Sequence, residues 1–162
     1  KPHLKSPQPD CHLFFNLSYS HQRVIYAFTS TCEVGIDLEY IHPISDIEEI
    51  SARFFSTAEQ RLLSHLPKEQ KHILFFQLWT RKEALLKACG TGIPILSEQI
   101  EVLQTSTIPN HPFALSKSCD PSTSWRILDL PLSTPEYMAA LAVETTSSPP
   151  TPQFIFDWHH PI

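Results

Sequence analysis

Residues 33–40 read Glu33-Val34-Gly35-Ile36-Asp37-Leu38-Glu39-Tyr40, and this stretch decides how the chain is organised. Apolar and acidic residues alternate, the period-two pattern of a strand with one face in a core. Ile36 and Leu38 turn to the core, while Asp37 and Glu39 share the other face. Two carboxylates on one face repel unless something positive lies between them, and a hard divalent cation such as Mg²⁺ meets that need. The same alternation also describes an ordinary edge strand with a polar outer face.

Upstream of this strand, 12–15 and 23–29 are β-branched and aromatic runs flanking the polar stretch 16–22, which reads as strand, turn and strand. Downstream, Ser45 with Glu48 and Ser56 with Glu59 have the spacing of capping boxes and mark two helix starts. A longer helix is expected over 68–89, because Ile73, Phe76 or Gln77, Leu78 and Leu85 keep helical spacing and Gly90 is a natural stop. After Thr91 the stretches 97–104, 124–130, 137–143 and 153–158 read as short strands between Pro, Ser and Thr. Strands, then helices, then an antiparallel meander make the fold class α+β.

Composition narrows the function classes. The chain has 162 residues, 41% hydrophobic and 10% aromatic, enough for a real core and against wholesale disorder. No apolar run approaches the ~20 residues of a membrane helix. Three glycines against 15 prolines argue against a collagen-like repeat and a glycine-cradled nucleotide fold. The first residues, lacking both an initiator Met and the apolar centre of a signal peptide, read as a point partway through a longer protein. Cys11, Cys32, Cys89 and Cys119 have neither CxxC spacing nor scaffold density, which points to reduced thiols in a cytoplasm and signals no zinc site. The net charge of −5 argues against nucleic-acid binding. Residues 1–90 hold ten Lys/Arg and ten Asp/Glu while 91–162 hold two and seven, so an anionic ligand or partner would meet the first part.

Two further stretches carry chemistry. Residues 79–92 read Trp79-Thr80-Arg81-Lys82-Glu83-Ala84-Leu85-Leu86-Lys87-Ala88-Cys89-Gly90-Thr91-Gly92. On a helix, Trp79, Lys82 or Glu83, and Lys87 share one stripe. Set beside Asp37 and Glu39, that stripe supplies a third carboxylate for a metal and two cations for phosphates. Read alone, Glu83 and Lys87 are an i, i+4 salt pair on a solvated face. The stretch Asn16-Leu17-Ser18-Tyr19-Ser20-His21 offers hydroxyls and an imidazole to a phosphate, although such residues also make routine turns. No hydrolase elbow, Walker loop or dinucleotide glycine pattern is present.

Taken in order, NLSYS, VGIDLEYIHPIS, RFFSTAE and FFQLWTRKEALLKACGTGI resemble the 4′-phosphopantetheinyl transferases of the larger, pseudo-dimeric Sfp type. The resemblance covers roughly residues 1–143 and is most specific over 14–93. It implies an α+β transferase fold, an antiparallel sheet packed against a long helix. Residues 1–32 would be the terminal strands of an N-terminal half-domain whose remainder is absent, and 33–162 the C-terminal, magnesium-binding half of a pseudo-two-fold pair. The missing remainder would leave an exposed hydrophobic seam. The implied reaction moves the phosphopantetheine arm of coenzyme A to a serine of an acyl or peptidyl carrier protein, releasing 3′,5′-ADP.

By the same resemblance, Asp37, Glu39 and Glu83 would hold Mg²⁺, and Lys82 and Lys87 would contact phosphates or the leaving group. Lys1 with Pro2 resembles a segment whose lysine approaches the 3′-phosphate. Glu83 is the first choice for the base that takes the serine proton, with Glu59 second. The family motif reads SHS where this chain has Ser18-Tyr19-Ser20, which leaves Tyr19 or His21 to take the place of the family's histidine at a coenzyme A phosphate. Carrier proteins are acidic, so Arg53, Arg61, Lys68 and Lys71, beside Phe54 and Phe55, are the expected docking residues, though such charges also make ordinary solvated surface. The chain is expected to act in the cytoplasm, as a monomer when full length, with no membrane partner. The alternatives are a catalytically weak module that binds carrier protein or coenzyme A, and a Mg²⁺-dependent pyrophosphate hydrolase.

Overall fold

The computed structural model describes residues 13–90, 100–103 and 124–145, and the backbone of 155–159. Lys1, Pro2, Cys11, Gly92, Cys119 and most of the strand expected over 97–104 lie outside the described residues. The order of elements is β1 (Phe14–Ser20), β2 (Arg23–Thr29), β3 (Val34–Tyr40), α1 (Ile47–Phe54), α2 (Thr57–Ser64), α3 (Lys68–Cys89), β4 (Trp125–Asp129), β5 (Tyr137–Glu144) and β6 (Ile155–His159). The α+β class follows.

Two antiparallel sheets form, ordered β1-β2-β6 and β3-β5-β4. The expected meander is therefore not one ribbon. β5 lies between β3 and β4, while β6 pairs with β2 in the other sheet, with Tyr26 opposite Phe156. Sheet membership consequently crosses the division expected at 32/33. The first hairpin also differs from expectation. The stretch 16–20 is strand, and only His21 and Gln22 turn, His21 in the left-handed region at φ 53°. The polar side chains that read as a turn instead find partners on β3.

The β3-β5-β4 sheet is covered on both faces. Ile36, Leu38, Leu141 and Val143 pack against Ile25 and Ala27 of β2. On the other face Ala140, Ala142 and Ile127 pack beneath α3 residues Leu78, Ala84 and Leu85. Burial of each such Leu or Ile contributes about 1.5–3 kcal/mol. The outer face of β1-β2 carries the exposed apolar residues Leu17, Tyr19 and Phe28.

Helix ends follow local chemistry in part. At α2, Ser56 and Glu59 make both bonds of a capping box. At α1 the cap is Asp46 and no side chain bonds there. Starting one residue later than expected puts Glu48 at the second helical position, out of register for the box. Gly90 ends α3 at φ 70°. The second half of α3 is buried on nearly every side, Arg81 and Lys82 included, and Ile73 faces solvent. A helix enclosed by sheet, helices and loop has no single apolar stripe.

Gly35 sets how close α3 comes to β3. A Cβ at that position would run into the carbonyl oxygen of Ala84 and the backbone nitrogen of Ala88. Only glycine lets the two backbones meet here.

Candidate active site

That backbone contact lays Lys87 across β3. Its Nζ donates to Asp37 Oδ1 at 2.7 Å, to Ser18 Oγ at 2.9 Å and to the Ile36 carbonyl at 3.2 Å. Ser18 Oγ in turn donates to Asp37 Oδ1 at 3.0 Å, and Ser20 Oγ donates to Glu39 Oε2 at 3.2 Å. Asp37 is 3% exposed, and its second oxygen, Oδ2, is buried with no hydrogen-bond partner among the described residues.

The charges at this junction disturb one another. Burial pushes the Asp37 carboxyl up to about 6, with Glu39 adding to the rise and Lys87 and Ser18 opposing it. Burial likewise pushes Glu83 up to about 7, helped by the charges of Asp37 and Glu39 and opposed by Lys87. Three carboxyls therefore share one low-dielectric junction, with Lys87 the one lysine among the described residues acting on them. A carboxyl near 7 can exchange a proton at neutral pH.

The donor chemistry fits a hard cation. The available atoms are carboxylate oxygens, one of them buried and unpartnered, and their mutual repulsion is what a divalent ion relieves. Among the described residues no group of three acidic, histidine or cysteine side chains is already gathered tightly enough to hold an ion.

Lys82 does not join this junction. It is 2% exposed, its Nζ lies 2.8 Å from Glu59 Oε2, and it donates to the Ile100 carbonyl. Burial lowers its pKa, while Glu59 opposes that shift. The expectation of two lysines beside Asp37 and Glu39 is corrected to one. Lys82 and Glu83 are consecutive, about 100° apart around the helix, so one meets α2 while the other meets β3.

Glu59 differs from its expectation as a reserve base. It is fully buried; Oε2 accepts from the Ser56 backbone at 2.7 Å and Oε1 accepts from the Val102 backbone at 2.8 Å. With Lys82 also bound, both oxygens are engaged. Arg81, absent from the sequence-based site, makes a bidentate pair with Asp129 and donates to the Val102 carbonyl. Nothing in the sequence ties Arg81 to a residue 48 positions away.

Ser18 lies at the junction, but its neighbours do not. Tyr19 is 78% exposed and turns away from β3. The His21 ring stacks on Tyr40 at 4.7 Å, and Tyr40, one residue past Glu39, points to the opposite face of the strand. Trp79 packs between Phe54 and Phe75. Of the expected docking residues, Arg53, Arg61 and Lys68 are exposed and Lys71 pairs with Glu48 at 2.8 Å. Phe55 is fully buried against Phe75 and offers no surface.

Comparison with known proteins identifies the family. The family model ACPS, described as the 4′-phosphopantetheinyl transferase superfamily, matches residues 33–142. The 4′-phosphopantetheinyl transferase HetI of Nostoc sp. (strain PCC 7120 / SAG 25.82 / UTEX 2576) is 39% identical over 160 residues, 99% of this chain and 62% of that protein. The 4′-phosphopantetheinyl transferase Sfp of Bacillus subtilis (strain 168) is 39% identical over 94 residues, 58% of this chain and 40% of its own length. The chain thus spans about three fifths of the length of HetI. A crystal structure of a holo-(acyl-carrier-protein) synthase from Bacillus anthracis str. Ames, in complex with CoA (3′,5′-ADP), superposes with a TM-score of 0.56 over 71% of this chain and 97% of that one. Their sequences are 20% identical, so that likeness speaks for the fold. With the matched segment spanning the carboxylate strand and the lysine and glutamate of α3, the chain belongs to the 4′-phosphopantetheinyl transferase superfamily and is similar to its Sfp-type members.

Proposed function

We propose that this chain transfers the phosphopantetheine arm of coenzyme A to a serine of an acyl or peptidyl carrier protein and releases 3′,5′-ADP. The observation that carries the reading is the place where α3 brings Glu83 and Lys87 to Asp37 and Glu39 of β3, inside the segment that the family model matches. In the reaction the serine oxygen bonds to the β-phosphorus, the bond from that phosphorus to the oxygen bridging to the α-phosphorus breaks, and the serine proton is taken up. Glu83 is the group that accepts it, directly or through a water.

Asp37, Glu39 and Glu83 are the residues that would hold Mg²⁺. With Mg²⁺ bound by these residues, the chemistry supplied would be neutralisation of the negative charge on the pyrophosphate. Lys87 adds a cation at the same junction and, through Asp37 Oδ1, holds that carboxylate in place. Lys82 serves from a distance, tying α3 to Glu59 and Ile100. The setting we propose is cytoplasmic, with the chain acting as a monomer. The free thiol of Cys32 accords with that setting. Among the described residues no helix is long and apolar enough to cross a membrane.

A second reading is a binding homologue with little turnover. It is favoured by Tyr19 pointing to solvent and His21 stacking on Tyr40, so that neither residue of this stretch brings an aromatic or imidazole group to the junction. One experiment separates the two. The protein is incubated with coenzyme A, Mg²⁺ and an apo carrier protein, and the intact carrier is weighed. The expected result is a gain of one phosphopantetheine that Glu83→Ala abolishes; no gain with any of several carriers supports the second reading instead.

A further inference from the structure

β1 and β3 belong to different sheets, yet β1 lies along the edge of β3 that faces away from β5. Among the described residues no backbone ladder joins them. Side chains meet that edge instead. The Ile36 N–H donates to Asn16 Oδ1 at 3.0 Å, and the Ile36 carbonyl accepts from Lys87. The Tyr40 N–H donates to Ser20 Oγ at 2.9 Å, and the same hydroxyl donates to Glu39. Asn16, Ser18 and Ser20 alternate along β1, so all three reach the same neighbour. Their bonds bracket the acidic stretch, with Ile36 immediately before Asp37 and Tyr40 immediately after Glu39.

We propose that Asn16 and Ser20 are positioning residues for the acidic junction: their side chains stand in for a neighbouring strand at the free edge of β3 and hold Asp37 and Glu39 at a fixed spacing against α3. The need is electrostatic. Asp37, Glu39 and Glu83 repel one another, and a strand held on one side only yields to that repulsion by bulging at its free edge. Pins at Ile36 and Tyr40 oppose this movement on both sides of the carboxylates. A further strand in that place would take the Ile36 carbonyl that Lys87 now reaches. Asn16 suits its position because Oδ1 accepts without adding a fourth negative charge. Ser20 suits its own because one hydroxyl both accepts and donates.

The effect on turnover rests on the transferase reading above; the effects on strand protection and ion binding do not. The test uses the ¹⁵N-labelled full chain as wild type, Asn16→Ala, Ser20→Ala and Ser20→Thr. Amide exchange at Ile36 and Tyr40 is followed by NMR, Mn²⁺ binding by EPR, and transfer to an apo carrier by mass. Exchange at Ile36 is expected to quicken about 100-fold in Asn16→Ala, as local opening of the edge becomes easy. The dissociation constant for Mn²⁺ should rise about tenfold in both alanine variants, the usual scale for losing a group that orients a metal ligand. Ser20→Thr, which keeps the hydroxyl, should restore Mn²⁺ binding and Tyr40 protection to within about twofold. In Ser20→Ala, kcat should fall about tenfold while KM for coenzyme A stays within about twofold. Unchanged protection at Ile36 and Tyr40, or unchanged Mn²⁺ affinity once protection is lost, overturns the proposal. Should Asn16→Ala lose the dispersed spectrum of a folded chain, the Ser20 pair decides alone. A wild type that binds Mn²⁺ but modifies no carrier counts against the transferase reading and leaves the positioning result standing.

Discussion

Lys87 Nζ lies 2.7 Å from Asp37 Oδ1, while Oδ2 of the same carboxylate is buried with no partner among the described residues. One oxygen is thus held by a cation and by Ser18, and the other is left free at the meeting point of β3 and α3. Much of what the molecule is expected to do under perturbation follows from this asymmetry.

Lys87→Met removes the cation nearest to three carboxyls. A fully buried pair broken on one side costs about 3–5 kcal/mol, but the Lys87 side chain is 29% exposed, so the expected loss is about 2 kcal/mol. Urea unfolding at pH 7 measures it. A midpoint equal to wild type would mean that the pair contributes nothing to folding.

The pH dependence has a definite sign. Asp37 and Glu83 rise from ordinary values of 3.8 and 4.5 to about 6 and about 7, so between those limits the folded chain binds more protons than the unfolded one. Their contribution to stability is present at low pH and is lost as pH rises through about 6 and then about 7. Compared with Glu83→Gln, the wild type without divalent ions should lose melting temperature across that window. Added Mg²⁺ should reverse the loss if the carboxylates bind it. Parallel melting curves for the two proteins across the window would contradict the raised Glu83.

Gly35→Ala and Gly90→Ala make the same chemical change with different consequences. At Gly35 the new methyl meets backbone atoms of Ala84 and Ala88, which cannot rotate away, so α3 must shift; about 3 kcal/mol is expected. At Gly90 nothing among the described residues lies near, and the left-handed φ of 70° is what resists, for about 1 kcal/mol. Denaturant midpoints rank the two. The Gly35 variant should also lose divalent-ion affinity, since Glu83 and Lys87 move with the helix.

Glu59→Gln takes from buried Lys82 the carboxylate 2.8 Å away and should cost about 3 kcal/mol. Glu59→Gln with Lys82→Met removes both charges and should be less destabilised than the single variant. Transfer activity per folded molecule separates structure from chemistry. It should survive in the double variant, and its loss with the fold intact would return Glu59 or Lys82 to the chemistry.

Some elements were plain in the residues. Period-two alternation places Asp37 and Glu39 on one face of a strand, and the structure keeps them there. Gly90 ends its helix where a left-handed residue is needed, and Ser56 with Glu59 closes a capping box, because both signals act over a few residues. The box expected at Ser45 failed by one position, since nothing local distinguishes a helix beginning at 46 from one beginning at 47. The run 16–20 is polar enough for a turn, and only partners supplied by a distant strand make it β1.

By itself the sequence determined the class of the fold, the carboxylate pair, and the presence of lysines and a glutamate on one long helix. The tertiary structure alone decided their assignments: Lys87 to Asp37, Lys82 to Glu59, and Glu83 to the junction between. Helical spacing states which side chains are neighbours on α3 but not which way the helix is turned. That rotation is set by the backbone contact at Gly35 and by buried groups on β3, α2 and β4, all far away in the chain.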